Sequence, residues 1–454
     1  MSKRSAKRSL HVMDPKAAGI DLGSATHYAA VNPESCDEPV RAFGCFTCDL
    51  KTMGDWLLSN GVVSVAMEAT GVYWMPVYEV LAGMGLKVHL VDARKVHNLP
   101  GRKSDVQDCQ WLRELHSFGL LSSCFVPEAD VLPLKSYHRQ RDSLTQMHAN
   151  QIQMMQKALE LMNLQLHKVL SDITGVTGME IIRSILAGER DPSVLASKRR
   201  AGVKRTEEDI VKALEGTFAE HHLFALSQAV ELYDKYGEML GAVDGQIEQR
   251  LAQWSAAYGR EPLISGSKRT TRKNQPHFDL AGYLHGLVGM DLTRINGLDS
   301  LSVLAIISEC GVDYSAWPTH KRWTSWLQLA PCNRFSGGRR LRTPNLPASG
   351  AVSKVFRLAA QSLHNSSCAF GCQLRRIAAR RGMQIAIKAI ARKIAIAFYN
   401  AMTKGQEFVD QGAAAYEEQI LRQQVKRAHK LAQKLGYQMV PITQGFESAV
   451  ATVP

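Results

Sequence analysis

Residues 17–31 have the sequence Ala17-Ala-Gly-Ile-Asp21-Leu-Gly23-Ser-Ala-Thr-His-Tyr-Ala-Ala-Val31. Two apolar runs on either side of a Gly-Ser pair predict a strand, a tight turn and a second strand. Asp21 stands out, because a carboxylate inside an apolar strand has a high desolvation cost unless a cation or a hydrogen-bond donor lies nearby. We therefore expect Asp21 to face a cation or a cluster of donors.

Strands and helices alternate as far as Pro127, which predicts an α/β domain. The further elements are a strand over Arg41–Cys48, a helix over Leu50–Ser59, a β-rich run over Val62–Glu68, a helix over Gly71–Gly83, a strand over Lys87–Val91 and a helix from about Ser104. The β-rich run ends in the carboxylate of Glu68, and the last helix places Asp105 and Asp108 one turn apart on one face.

Four carboxylates, those of Asp21, Glu68, Asp105 and Asp108, therefore lie at the ends of these elements. Carboxylates that converge raise one another's pKa, and a divalent cation relieves the repulsion. Mg²⁺ suits such a set because it prefers hard oxygen ligands, and a pair of ions stabilises both the attacking and the leaving oxygen in phosphoryl transfer. The alternative is that each carboxylate is a helix cap or a surface residue, and this applies best to Asp105.

Gly19-Ile-Asp-Leu-Gly23 also resembles the first phosphate loop of actin-like ATPases and sugar kinases. That interpretation requires a later Asp-x-Gly-Gly-Gly-like loop for the β-phosphate, and the sequence has none. The metal site is the better interpretation.

The middle of the chain has a helical pattern from about Leu134 to Leu170. Apolar residues recur there at alternating spacings of four and three, as in a coiled-coil seam, at Met155, Leu159, Met162, Leu166 and Val169. A second such stretch runs from Leu226 to Trp254. The two predict a central antiparallel coiled coil that also makes subunit contacts.

A polar, basic segment follows at residues 256–290, which we interpret as an insertion or linker. Residues 292–300 then form a short turn before the apolar run Leu301–Cys310, a pattern typical of a helix–hairpin–helix. In such a turn, Gly297 would offer its backbone amide to a phosphate, although many helical proteins also contain Gly-Leu turns.

The stretch from Tyr314 to Gln406 contains no Asp or Glu, whereas the whole chain has 42 of them and a formal net charge of +13. A long surface of one sign indicates a polyanionic partner, and nucleic acid is the commonest one; the alternative is a solvated basic face. The stretch includes the segment Asn333-Arg-Phe-Ser-Gly-Gly-Arg-Arg340, in which a serine hydroxyl lies between glycines and positive charge.

Composition also bears on the membrane partners, the cellular compartment and the domain division of the protein. No run of about 18 apolar residues is present, so we expect no membrane partner. The nine scattered cysteines indicate a reducing cytoplasm, and we interpret Cys45-x-x-Cys48 as structural. The predicted division is 1–127 α/β catalytic domain, 128–255 coiled-coil domain, 256–290 insertion, 291–405 mainly α-helical C-terminal domain and 406–454 helical tail.

Three motifs together resemble the RuvC-like (RNase H-like) DEDD domain of the IS110 family of transposases. They are Gly19-Ile-Asp21-Leu-Gly, Met67-Glu68-Ala-Thr-Gly71-Val-Tyr-Trp74 and Lys103-Ser-Asp105-Val-Gln-Asp108. The second half is similar too, in Leu329-Ala-Pro331, Phe335-Ser336-Gly-Gly338 and the run Ala389–Tyr399. The resemblance covers residues 17–405 in order.

The resemblance implies that Asp21, Glu68, Asp105 and Asp108 bind Mg²⁺ and that Ser336 is the nucleophile. It further implies that the serine attacks a DNA backbone phosphate and becomes covalently attached, that the composite site forms between subunits of a homodimer or homotetramer, and that a structured non-coding guide RNA encoded by the element pairs with target and donor DNA. Ser349 is a rival to Ser336 that corresponds better to the start of the family's following helix. The chain departs from the family in its insertion, its tail and the Arg-rich residues after Ser336.

Chemistry supports a serine there, because a hydroxyl needs a metal, a base or a cation to become a nucleophile, and neighbouring arginines can hold the phosphate. The residues expected to contact nucleic acid are Arg334, Arg339, Arg340, Arg342, Lys354, Arg357 and Gly297. Two alternatives stay open: a RuvC-like Mg²⁺ nuclease that uses water, and a non-catalytic nucleic-acid-binding protein. Charge alone does not separate RNA from DNA.

Overall fold

The computed structural model describes residues 11–69, 71–91, 105–128, 130–257, 274–331, 334–341, 350–405, 408–410 and 412–439, with the backbone alone at 334–336 and 340–341. The chain divides into two compact units, Met1–Val126 and Pro127–Pro454. None of the helices in these ranges is apolar over a length that would cross a bilayer. The five-part division of the chain stays a prediction.

The first unit is an α/β domain, as expected. Its elements are β1 (Ala17–Leu22), β2 (Thr26–Ala30), β3 (Val40–Gly44), α1 (Thr47–Ser59), β4 (Ser64–Glu68), α2 (Trp74–Gly83), β5 (Lys87–Val91) and α3 (Asp105–Ser117). The strands form a mixed five-stranded sheet in the order β3-β2-β1-β4-β5. β1 is antiparallel to β2 and parallel to β4, so it occupies the centre of the sheet. The α/β class is confirmed, and the RuvC-like assignment stays a proposal.

The two faces of the sheet are covered by different helices. Alternate residues of β1, among them Ile20, pack with α1 and α2 in one apolar core. The opposite face of β1 meets α3 at Gly19. This division places Asp21 on the α3 side, because it shares the face of Gly19.

The predicted third strand is too long at its C-terminal end. It stops at Gly44, and α1 begins at Thr47. The cause is local: the Asp49 carboxylate accepts a hydrogen bond from the Phe46 amide at 3.2 Å, and this cap starts the helix.

The second unit begins with α-helices. They are α4 (Val131–Leu161), α5 (Leu166–Val169), α6 (Val176–Leu186), α7 (Pro192–Ala196), α8 (Glu207–Leu214) and α9 (Glu220–Ala257). α4 and α9 have 31 and 38 residues and lie antiparallel, since Asp130 pairs with Arg250 near one end and His148 stacks on Tyr233 further along. An antiparallel pair of long helices is therefore present, and its coiled-coil character stays a prediction.

The first predicted seam is interrupted. α4 ends at Leu161, and Asn163 has a φ of 58°, so the helix does not continue to Leu170. Met155, Leu159, Met162 and Leu166 are instead buried in an apolar core with residues of α6, α7 and α8. The coiled-coil-like spacing arose because residues before and after the turn pack into the same core. These side chains are therefore buried by other residues of the same chain.

A buried ion pair joins α4 to α9. Arg141 and Asp244 are 5% and 6% exposed, and Nε donates to Oδ1 at 2.6 Å while Nη2 donates to the Asn274 carbonyl oxygen at 2.8 Å. We expect Asp244→Ala to lower the free energy of unfolding by about 3–5 kcal/mol, since it leaves a buried guanidinium without its charge partner. Urea unfolding followed by circular dichroism measures this.

The matched control is Asp234→Ala, which removes the partner of Arg183 on the exposed surface. Exposed ion pairs contribute about 0–1 kcal/mol, so this variant should unfold almost as the wild type does. Equal effects of the two substitutions would contradict the role given to the Arg141–Asp244 pair.

The rest of the second unit is mainly helical. It contains α10 (Leu280–Val288), α11 (Ser300–Cys310), α12 (His320–Trp326), the hairpin of β6 (Arg334–Ser336) and β7 (Arg339–Leu341), α13 (Ala351–Ser362), α14 (Ala369–Arg381), α15 (Met383–Lys404) and α16 (Gly412–Lys434), with 3₁₀ turns at Leu292–Arg294 and Leu363–Asn365. Trp323, Phe356 and Phe398 are fully buried and form its aromatic core.

The segment interpreted as an insertion over 256–290 contains a helix. Residues 258–273 lie outside the described residues, but α10 occupies 280–288 and buries Leu280, Leu284 and Leu287. This helix was missed in the sequence because the residues before it are polar and basic, and the whole segment was interpreted by their composition. The interpretation of 256–290 as an insertion or linker stays a prediction.

Gly297 lies in a turn before α11 with a φ of 92°. A Cβ there would clash with the carbonyl oxygen of Ala359 on α13. Glycine is therefore required for packing between the turn and α13. The helix–hairpin–helix assignment and the phosphate contact of Gly297 stay predictions.

Candidate active site

The close contact between β1 and α3 sets the geometry of the candidate site. A Cβ at Gly19 would clash with the Cys109 carbonyl oxygen and the Arg113 amide of α3, so only glycine permits this approach. Asp21 follows two residues later on the same face of β1, beside the helix that carries Asp105 and Asp108.

Glu68 reaches the same place from the neighbouring strand. β1 and β4 are parallel, with Ile20 opposite Met67. The residues that follow them, Asp21 on β1 and Glu68 on β4, are therefore neighbours across the two strands. Both Ile20 and Met67 lie in the core on the far face of the sheet, and the two carboxylates therefore point toward the α3 face.

Asp105 and Asp108 occupy the first turn of α3. A helix N-terminus stabilises carboxylates through its dipole, so this position by itself explains two acidic residues. Asp105 is exposed and Asp108 is half-buried.

Electrostatics connects the four residues. The pKa of Asp21 is raised to about 6, first by burial and then by the negative charges of Asp105, Asp108 and Glu68, while a hydrogen bond from the Leu22 amide opposes the shift. All three carboxylates therefore act on Asp21. Their repulsion is the kind that a cation relieves.

The site consists of carboxylates, the donor type that Mg²⁺ prefers. Within the described ranges, no three Asp, Glu, His or Cys side chains lie close enough together to hold one metal ion. The donor chemistry nevertheless fits a hard divalent cation, because the set consists of carboxylates and the pKa of its central member is already raised by the others.

Sequence reasoning missed two neighbours of this site. Cys109 is fully buried, and burial followed by the charge of Asp21 raises the pKa of its thiol to about 12, so the thiol stays neutral. Gly19 was part of a quoted motif, but its packing role was not inferred. A glycine inside an apolar strand was the available signal for a close backbone approach.

Ser336 lies in the second unit, at the end of β6. The β6–β7 hairpin pairs Ser336 with Arg339 across Gly337 and Gly338, whose φ angles are 55° and 75°. Positive φ at both central residues is the geometry of a type I′ turn, which explains the two glycines. Ser336 is thus fixed in its backbone position next to a tight turn, and its side chain lies outside the described atoms.

The predicted nucleic-acid contacts have different surroundings. Arg339 and Lys354 are exposed, and Arg357 is half-buried in α13. For Arg334 and Arg340 the backbone alone is described. Arg342 and the rival Ser349 lie outside the described residues.

We expect Gly19→Ala to destabilise the first unit by about 1–3 kcal/mol, because the new methyl group forces α3 away from β1. Thermal unfolding monitored by circular dichroism would show the loss. The control is Gly83→Ala at the end of α2, where a Cβ meets nothing within 4 Å, and this variant should be as stable as the wild type or slightly more stable. A wild-type melting curve for Gly19→Ala would refute the contact.

Comparison with known protein families gave a match to the first part of the chain. Residues 18–164 match the family model of the IS110 DEDD transposase domain, described as a transposase. That range contains Asp21, Glu68, Asp105 and Asp108. A comparison with curated proteins gave no match. The resemblance to the IS110 family of transposases is thus confirmed over residues 18–164, and a domain of this kind indicates a DNA-acting enzyme of the transposase type.

Proposed function

We propose that the protein is a DNA transposase or recombinase of an insertion sequence that breaks and rejoins strands through a covalent phosphoserine. The observation that supports this most is the action of Glu68, Asp105 and Asp108 on the pKa of Asp21. Three negative charges around a half-buried carboxylate are costly without a cation, and a phosphoryl-transfer site is where such a cost serves chemistry.

In this proposal Asp21, Glu68, Asp105 and Asp108 hold Mg²⁺. The bound ion would stabilise the negative charge that develops on phosphate oxygens in the transition state. Because Asp21 has a raised pKa, it releases its proton when the cation binds, so cation affinity increases with pH through about pH 6.

Ser336 would supply the nucleophile. Its Oγ forms a bond to the phosphorus of a DNA phosphodiester while a bond from phosphorus to a deoxyribose oxygen breaks, and that oxygen takes up a proton. A second deoxyribose hydroxyl then attacks the phosphoserine and regenerates Ser336, so the number of phosphodiester bonds is conserved. Arg334, Arg339, Arg340 and Arg342 would hold the phosphate oxygens.

The partners in this proposal are those that the resemblance to the family implies. They are donor and target DNA, a structured guide RNA encoded by the element and further copies of the chain in a homodimer or homotetramer. Lys354, Arg357 and the amide of Gly297 would contact the nucleic-acid backbone. Exposed Lys354 and Arg339 support such contacts, because the stretch around them contains no acidic residue.

Two other functions are separated from this one by their products. A RuvC-like nuclease that uses water would cut DNA without becoming attached to it. A non-catalytic nucleic-acid-binding protein would do neither, and the four coupled carboxylates argue against it.

One experiment tests both the guide and the chemistry. The full chain is purified without nuclease treatment, the bound RNA is sequenced, and the complex is incubated with DNA carrying the element ends in Mg²⁺. Denaturing gels and mass spectrometry should reveal DNA attached to a peptide that contains Ser336. Cut DNA without attachment would support the nuclease, and a bound but intact DNA would support the non-catalytic protein.

A further inference from the structure

A hydrogen-bonded network lies at the end of α3 away from Asp105. The hydroxyl of Ser64, the first residue of β4, donates to Asp14 Oδ2 at 2.6 Å and lies 2.8 Å from His116 Nε2. Ser64 is 4% exposed, so these bonds are shielded from water. The amides of Met13 and Asp14 also donate to the carbonyl oxygen of Ser117, the last residue of α3, at 2.8 and 3.0 Å.

Counting hydrogens fixes the state of His116. The Ser64 hydroxyl has one hydrogen, and Asp14 accepts it. The Ser64 oxygen must therefore accept from His116, so Nε2 of His116 carries a hydrogen. His116 Nε2–H thus donates to the Ser64 oxygen, and the Ser64 hydroxyl donates to the Asp14 carboxylate, so the three groups form one line of hydrogen bonds.

A second histidine extends the network to β5. The ring of His89 lies 5.0 Å from that of His116, and its Nδ1 is 2.8 Å from the Ser123 hydroxyl. The network therefore connects the segment before β1, the start of β4, the middle of β5, the segment after α3 and α3 itself. None of these residues belongs to the three sequence motifs that contain Asp21, Glu68, Asp105 and Asp108.

α3 lies along β1 and also contacts β2 and β4. Its middle touches β1 at Gly19, through the backbone at Cys109 and Arg113, and its end is held by Ser64 and Asp14. A helix rises about 1.5 Å per residue, so Asp105 and His116 lie roughly 9 and 7.5 Å along the axis on either side of the middle of the Gly19 contact. A tilt that moves His116 away from the sheet moves Asp105 by a similar amount in the opposite direction.

We propose that Ser64 and His116 are positioning residues that set the distance of Asp105 and Asp108 from Asp21 and Glu68, and so the affinity for the divalent cation. The inference rests on the proposed function, because it concerns the same metal site. The position of α3 matters there, because Asp105 and Asp108 act on the pKa of Asp21, yet among the described residues no three such side chains are within reach of one ion.

The network should respond to acid. Burial and then the neighbouring His89 lower the pKa of His116, while Asp14 opposes the shift. A histidine with a lowered pKa in the folded state contributes stability that is present above its ordinary value of 6.5 and is lost as pH falls. Protonation places a positive charge on His116 in a buried site beside His89, which lowers the stability of the folded state at the end of α3.

Calorimetric titration of the full chain with Mg²⁺ alone tests this positioning. At pH 7.5 we expect Ser64→Ala and His116→Leu to weaken Mg²⁺ binding by about tenfold, a typical effect of indirect partners of metal ligands. His116→Gln should bind like the wild type, because its amide can donate to Ser64 without a titrating group. The control is Ser117→Ala, which removes a buried hydroxyl that bonds only to Glu114 within α3 and should leave affinity unchanged.

The pH dependence gives a second test that requires only the mild variant. Wild type and His116→Gln are compared with each other in a pH series from 7.5 down to the lowest pH at which both remain folded, so that effects common to both proteins cancel. We expect His116→Gln to bind more tightly at the acid end of the series. Equal loss in both proteins, or wild-type affinity of folded Ser64→Ala, would overturn the inference. A wild-type chain that binds no Mg²⁺ would overturn the proposed function together with it.

Discussion

Replacement of Ser336 by alanine is expected to abolish covalent attachment to DNA and to slow strand joining by at least about 1,000-fold, because alanine offers no oxygen to attack phosphorus. The β6–β7 hairpin should persist, since its turn depends on Gly337 and Gly338 rather than on the serine side chain. DNA affinity at moderate salt should stay within about twofold, because the backbone contacts come from basic residues.

Denaturing gels quantify the protein–DNA adduct, and a joining assay with element ends quantifies strand transfer. The matched control is Ser349→Ala, which removes the rival hydroxyl in the same basic stretch and should leave both signals intact. Joining by Ser336→Ala at the wild-type rate would eliminate the covalent mechanism. Cutting that persists without an adduct would favour the nuclease.

Replacement of Asp21 by asparagine is expected to have the second largest effect, a loss of strand breakage of about 1,000-fold or more, because the carboxylate at the centre of the acidic set is removed. The same substitution should stabilise the protein in the absence of metal. Both effects follow from one cause, the repulsion among the four carboxylates.

The sign of the pH dependence can be worked out for Asp21. Its pKa is raised from 3.8 to about 6 in the folded protein, so its contribution to stability is complete below the unfolded value and is lost as pH rises through about 6. At pH 8 without metal, Asp21→Asn should therefore melt at a higher temperature than the wild type. The gain is on the order of 1 kcal/mol once solvent screening of a half-buried group is allowed for.

Differential scanning fluorimetry at pH 5 and pH 8, with and without Mg²⁺, measures these effects. Mg²⁺ should raise the melting temperature of the wild type at pH 8 and leave that of Asp21→Asn unchanged. Asp55→Asn is the control, because Asp55 is an exposed acid on α1 of the same unit. A Mg²⁺ response in Asp21→Asn equal to that of the wild type would show that the metal site is misplaced.

Local signals accounted for most of the first unit. Period-two apolar runs gave β1, β2, β4 and β5 nearly at their observed bounds, because strand periodicity and turn glycines are short-range properties. The end of β3 was missed since a capping carboxylate, Asp49, decides it. The helix predicted to run to Leu170 was wrong, because an apolar seam does not reveal whether its partners belong to one helix or to a local core.

The sequence by itself determined the positions of the four carboxylates, the strands and helix that carry them, the acid-free stretch and the resemblance to a transposase domain, since each depends on residue type and spacing. Only the tertiary structure decided that α3 packs against β1 at Gly19, that Asp21 titrates near 6 and that Asp14, Ser64 and His116 fasten the far end of α3. The reason is physical: a pKa and a helix position depend on distances between residues remote in the chain, and sequence spacing does not contain those distances.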